Sequence, residues 1–123
     1  MSLRRWAMFR RWGPALAQAG LIFTLSAQPA DAYPEVRVPG ADKIVHFGLY
    51  APLGAALCHA LGGRAGLAAV AGAVYGATDE LHQAFVPGRS PDPLDVLADA
   101  LGAVAGALLF ARWRHRSRHG GVG

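Results

Sequence analysis

Two long apolar segments are joined here by a stretch dense in ionisable residues, and that juxtaposition constrains the possible folds more than any other feature. The stretch runs from Tyr75 to Asp95 and carries Asp79, Glu80, His82, Arg89, Asp92 and Asp95. The flanking segments are apolar enough to cross a bilayer, so charges at their junction are costly and need partners, protonation or a wet cavity. Composition points the same way. The hydrophobic fraction is 53% and the charged fraction 16%, against about 25% charged in an average soluble domain. The expected fold class is all-α: an integral membrane bundle of four transmembrane helices, formed by one domain of 123 residues.

Charge distribution orients the expected bundle. Arg4, Arg5, Arg10 and Arg11 crowd one end of the chain and Arg112, Arg114, Arg116 and Arg118 the other, while most acids lie between. A nucleic-acid binder would lay basic residues along one folded face with aromatics between them. Here they flank apolar spans, which gives a positive-inside topology with both termini cytoplasmic and no nucleic-acid partner. The single cysteine, Cys58, sits in an apolar run and reads as a buried, inert thiol.

Residues 1–11 read as a basic cytoplasmic tail, residues 12–113 as the transmembrane domain and residues 114–123 as a second basic tail that frays. The first span runs from about Trp12 to Ala27 and includes Gln18. The same stretch also reads as a secretory signal peptide, with a basic region, an apolar run and Ala30-Asp31-Ala32 as a cleavage site. A Pro-rich loop follows, with Asp31, Glu35 and Arg37. Asp42 is expected to cap the second span, which ends near Leu61. Asp42, His46 and Tyr50 fall at i, i+4, i+8 and share one face. Pro52 lies inside this span, where it is expected to kink the helix. Gly62-Gly63-Arg64 gives a tight turn.

The third span runs from about Ala65 to Gln83. Gly72 and Gly76 form a GxxxG pair, which permits close backbone approach. Pro87-Gly88 marks a turn, and Asp92 followed by Pro93 is a helix start. In the fourth span, Asp95, Asp99, Gly102 and Gly106 form one stripe, which should face the other helices. The two GxxxG pairs also make oligomerisation a possibility. With four spans, Asp42, Lys43, His46, Asp79, Glu80, His82, Gln83, Arg89, Asp92 and Asp95 all gather at the outer face.

At Asp42-Lys43-Ile44-Val45-His46-Phe47-Gly48-Leu49-Tyr50, and again at Asp79-Glu80-Leu81-His82-Gln83 and Arg89-Ser90-Pro91-Asp92-Pro93-Leu94-Asp95, the chain resembles the VanZ-like family of bacterial membrane proteins. The resemblance covers about residues 20–110 and includes Leu25-Ser26-Ala27-Gln28-Pro29. Each motif says little alone; in this order and spacing the set is specific. The resemblance implies a multi-pass protein of the bacterial inner membrane, and it favours a retained first span over a cleaved one. The family's namesake accompanies glycopeptide resistance genes and lowers sensitivity to teicoplanin, which implies a role in the cell envelope. It carries site positions onto Asp42, Lys43, His46, Tyr50, Glu80, Gln83, Arg89, Asp92 and Asp95. Asp99 departs from the family pattern, which has Asn there.

Three functional readings stay open. In the first, an outer-face pocket binds or modulates a cell-envelope amphiphile. Its ligand would be an anionic lipid, a lipid-linked wall precursor or a glycopeptide antibiotic. Arg89 and Lys43 would grip it, and Asp42, Tyr50, Asp79, Gln83 and Asp92 would complete the binding set. In the second, Glu80, His46 and Asp95 act as catalytic acid–base or metal-binding groups on a lipid headgroup, with Asp79 and Glu80 as a pair of split acidity. The third is a proton-coupled transporter. His46, Glu80, Asp95 and His82 are the metal-ligand candidates, but no dense motif such as H-E-x-x-H occurs, so no metal site is assigned. No cofactor is named by the sequence: there is no P-loop, GxGxxG or serine elbow. Alternatively Arg89 pairs only with Asp92 or Asp95, and His46 and Tyr50 are packing residues with satisfied polar atoms.

Overall fold

The computed structural model describes residues 2–34 and 38–121; Glu35 and Arg37 of the Pro-rich loop lie outside them. The architecture is all-helical, with no strand among the described residues. Helix α1 spans Leu3–Ser26, α2 Ala41–Ala60, α3 Ala65–Gln83 and α4 Pro93–His119, with one short 3-10 turn at Ala30–Ala32.

Both basic tails belong to helices. The Ser2 hydroxyl accepts from the Arg5 amide at 3.4 Å, so α1 begins nine residues before the expected Trp12. Helix α4 likewise runs on to His119, where a frayed tail was expected. Arginine is a good helix former, and nothing in either basic run breaks a helix.

Asp42 does not cap α2. The helix starts at Ala41, preceded by Gly40 in the left-handed region (φ 80°), and the Asp42 carboxylate turns instead to Lys43. Pro52 is accommodated inside α2, which is assigned as one continuous helix. Its end is a Schellman-type close: the Gly63 amide donates to the Cys58 carbonyl at 2.8 Å, with Gly62 and Gly63 both at positive φ. Val86-Pro87-Gly88-Arg89 is the expected turn, with Gly88 at φ 75° and the Arg89 amide donating to Val86. Asp92 caps α4 through a 2.9 Å bond from the Leu94 amide, and Pro93 takes the first helical position.

The core is built from small residues. Cβ atoms on Gly54, Gly102 and Gly106 would strike the backbone of Ala103, Phe47 and Ala51, so α2 and α4 touch nearly backbone to backbone. Gly72 and Gly76 of α3 leave room for the side chains of Ala103 and Asp99 of α4. Both GxxxG pairs are therefore taken up inside one chain, and the α4 stripe does face its neighbours. Gln18, unexpected in an apolar run, donates to the Leu49 carbonyl at 2.8 Å, and Tyr75 donates to Ala19 at 2.6 Å. These two bonds fasten α1 to α2 and α3. Cys58 is fully buried with Ala68 and Ala107.

Large apolar side chains point outward from every helix: Leu16 and Phe23, Ile44 and Phe47, Leu67 and Val70, Leu101 and Leu109 are all exposed. Among the described residues, α4 alone is long and apolar enough to cross a membrane by composition. Polar motif residues lie within α2 and α3, and four arginines lie within α1, which lowers their apolar content. The basic groups collect at one end. Arg11 donates to the Ala60 carbonyl, and Arg114 lies against Gly63. The acids collect at the other.

Candidate functional site

The acidic end is organised around Lys43, in the first turn of α2. Its ammonium lies 2.7 Å from Asp42 Oδ2, 2.7 Å from Asp92 Oδ2 and 2.6 Å from Asp95 Oδ1. An ammonium has three donors, and each meets a carboxylate. Asp42, Asp92 and Asp95 are also the one group of metal-type ligands close enough together among the described residues. The cation at their centre is the chain's own. Lys43 and the Leu94 amide hold the Asp92 carboxyl's pKa below the usual carboxylate range.

His46 lies one turn further along α2. Its Nδ1 is 2.7 Å from Asp99 Oδ1, and its Nε2 is 3.6 Å from Asp95 Oδ2. Asp99 has no solvent exposure, and its Oδ2 has no partner among the described residues. A ladder of alternating charge-bearing groups thus descends from Asp92 through Lys43, Asp95 and His46 to Asp99, stitching α2 to α4.

Asp79 and Glu80 do not form an acid pair. Neighbours on a helix project about 100° apart, and these two serve different helices. Asp79 Oδ2 accepts from the Ser26 hydroxyl at 2.9 Å and lies 3.5 Å from Gln83 Nε2, closing α3 onto the end of α1. Glu80 Oε1 accepts from the Asp92 amide at the start of α4, and its Oε2 is buried without a partner among the described residues.

Arg89 is not paired with Asp92 or Asp95, and it does not lie over Glu80. Its Nε donates to the Gln28 carbonyl at 3.1 Å and its Nη2 to the Leu25 carbonyl at 3.3 Å, with the guanidinium 5.0 Å from the centre of the Tyr33 ring. The last carbonyls of a helix carry the negative end of its dipole, so Arg89 clamps the end of α1. His82 stacks on Phe23, ring centres 4.8 Å apart, away from the His46 ladder. The four proposed metal ligands are therefore not gathered into one centre.

A cavity of about 550 Å³ opens between α1, α2 and the end of α3. Its walls are apolar, from Ile22, Leu25, Val45 and Leu49, and its polar lining includes Asp42, His46, Tyr50, Asp79, Gln83 and Arg89, with Ser26 and Tyr33 beside them. Six of the ten expected site residues thus share one cavity. Lys43, Asp92, Asp95 and Glu80 do not line it and instead hold α2, α3 and α4 together at that end. Tyr50 packs against Ile22 and Leu53 as expected of a core residue. Its hydroxyl, however, is buried with no partner among the described residues, where a satisfied one was expected. Ser26 and Asp99 were not placed among the site residues from sequence. Ser26 lies in a short polar break at the end of the first span, and Asp99 on the stripe with Asp95; those were the available signals.

The cavity supplies an apolar slot ending in donors and acceptors, and His46 backed by Asp99 is a base held by an orienting carboxylate. No curated protein and no solved structure matches the chain. A family model described as VanZ/LLP1 matches residues 5–114, which spans all of α1 beyond its first turn, both polar motifs and most of α4. On that match, the chain belongs to the VanZ/LLP1 family.

Proposed function

We propose that this protein is a four-span membrane bundle of the bacterial inner membrane, with cytoplasmic termini, whose outer-face cavity binds a cell-envelope amphiphile. The observation that carries this is the cavity itself, which joins an apolar wall from α1 and α2 to a polar end at His46, Tyr50 and Asp79. That division matches a ligand with a hydrocarbon part and a polar head. Three features support the membrane setting. Ala, Gly and carboxylates make up much of the core while most of the large Leu, Val and Phe side chains face outward, an arrangement suited to lipid. Basic groups collect at the end opposite the acids, which matches a positive-inside orientation. Helix α4 is apolar enough to span. The remaining three would cross with their polar residues turned inward, against one another.

A second reading is favoured by one contact. The 2.7 Å bond between His46 and Asp99 leaves an oriented imidazole lining the cavity, as an acid–base step on a bound headgroup would require. Glu80 stands outside the cavity lining, so in this reading the chemistry rests on His46.

The test uses purified full-length protein in a nonionic detergent, titrated with teicoplanin and with a polyprenyl-linked wall precursor. Binding of either, abolished by Leu49→Trp through filling of the slot with the fold retained, supports the proposal. Failure of both to bind folded protein contradicts it. Turnover of the precursor that His46→Ala abolishes, with binding kept, would transfer the conclusion to the enzymatic reading.

A further inference from the structure

Resting on the amphiphile-binding reading, we infer that the head accepted by this cavity is a protonated amine rather than an anion.

Charge complementarity is the first support. At this end the described residues include six carboxylates (Asp42, Asp79, Glu80, Asp92, Asp95 and Asp99). The full-time cations there, among the described residues, are Lys43 and Arg89. Lys43 is consumed by three carboxylates. Arg89 is directed at the end of α1 by Nε and Nη2, where helix carbonyls balance its charge. The Nε–Nη2 edge of the guanidinium, one of its two forks for a phosphate, is already engaged. An anion entering the cavity would meet the carboxylates of Asp79 and Asp42, with Lys43 outside the lining and Arg89 committed in part to α1.

Tyr50 is the second and independent support. It lines the cavity beside Asp79, is 1% exposed, and its hydroxyl has no hydrogen-bond partner among the described residues. An orphaned buried hydroxyl is costly unless something occupies it. Asp79 adds an acceptor, since its two bonds both fall on Oδ2 and leave Oδ1 unbonded among the described residues. A hydroxyl oxygen and a carboxylate oxygen are acceptors, and an ammonium group offers only donors. Hydrocarbon attached to that ammonium would lie along Ile22, Leu25 and Leu49. Two sources share this chemistry: the ethanolamine head of a membrane phospholipid, and a soluble amine-bearing amphiphile.

Three probes of equal chain length isolate the head: dodecylammonium, dodecyl phosphate and dodecanol, titrated into full-length protein in a nonionic detergent. The expected order places dodecylammonium tightest by about tenfold or more, the scale of one charge-assisted hydrogen bond. Asp79→Asn is expected to remove that advantage without changing dodecanol binding. Because Asp79 also ties α1 to α3, Tyr50→Phe provides a variant that deletes only a hydroxyl with no hydrogen-bond partner among the described residues. It is expected to fold as well as the parent and to weaken dodecylammonium selectively. Repeating the titration in nanodiscs of phosphatidylethanolamine and of phosphatidylglycerol separates the sources. Competition by the former alone assigns the phospholipid head, and equal binding in both assigns a soluble amine. Tighter binding of dodecyl phosphate would overturn the amine inference while leaving an amphiphile cavity in place. Binding of none of the three by folded protein would overturn both.

Discussion

His46 Nδ1 sits 2.7 Å from Asp99 Oδ1, and this contact joins α2 to α4 at a carboxylate with no exposure to solvent. A buried carboxylate stripped of its partner is far more costly than a neutral amide at the same place. His46→Ala should therefore destabilise the fold by about 3 kcal/mol or more. Asp99→Asn keeps an acceptor for the imidazole and removes the charge, so it should be tolerated. Thermal unfolding in detergent measures both, and equal losses from the two variants would contradict this account of the pair.

The crossing of α2 and α4 depends on glycine. A Cβ at Gly106 would run into the Ala51 carbonyl, whereas one at Gly48 would meet nothing. Gly106→Ala is expected to lower stability by roughly 1–3 kcal/mol, as overpacking does. Gly48→Ala should be neutral or gain up to about 1 kcal/mol from helix propensity. Paired unfolding curves decide between this arrangement and a loose crossing, for which the two variants would behave alike.

Much of this was legible beforehand because the signals were local. Asp92-Pro93 announced the start of α4, Pro87-Gly88 the turn, and Gly102 and Gly106 the buried stripe; each depends on neighbours a few residues away. The i, i+4, i+8 spacing correctly put Asp42, His46 and Tyr50 along one cavity wall. Partner choice was not legible, because it depends on how helices rotate against one another. Arg89 could have met Asp92 three residues on; it meets Gln28 and Leu25, sixty-one and sixty-four residues away. Asp79 and Glu80 looked like a pair in sequence and diverge on the helix. The helical state of the arginine-rich ends is not marked by their charge, which suits a basic tail as well as a helix; arginine's high helix propensity is the signal that favours the helix.

Arg89→Lys should loosen the end of α1. A lysine ammonium lacks the planar fork that reaches two carbonyls and stacks on Tyr33. The expected loss is about 1–2 kcal/mol, seen locally as faster hydrogen exchange at Ala27 and Gln28. The α2–α4 interface should keep its protection. Uniform loss of protection throughout the protein would show that Arg89 is no local clamp.

Lys43 sets the acid response. Because Lys43 lowers the Asp92 pKa in the folded state, this carboxylate's contribution is complete above its unfolded value, about 3.9. It is lost as pH falls through the lower folded value. The parent should therefore lose stability on acidification below about pH 4. In Lys43→Met the three carboxylates repel one another, so that variant should be less stable at neutral pH and should recover on acidification. Unfolding temperatures across this range, read for both proteins, test the sign directly.

The central claim is that the bundle spans the membrane with its acid-lined cavity facing outward, and cysteine accessibility in intact cells tests it most directly. Cys58 is buried, so it contributes no background to a membrane-impermeant maleimide. Ser90→Cys, in the exposed loop between α3 and α4, should be labelled on intact cells. Arg64→Cys, in the α2–α3 turn, should be labelled only after permeabilisation. Labelling of Arg64→Cys but not Ser90→Cys on intact cells would place the cavity on the cytoplasmic side and contradict the account.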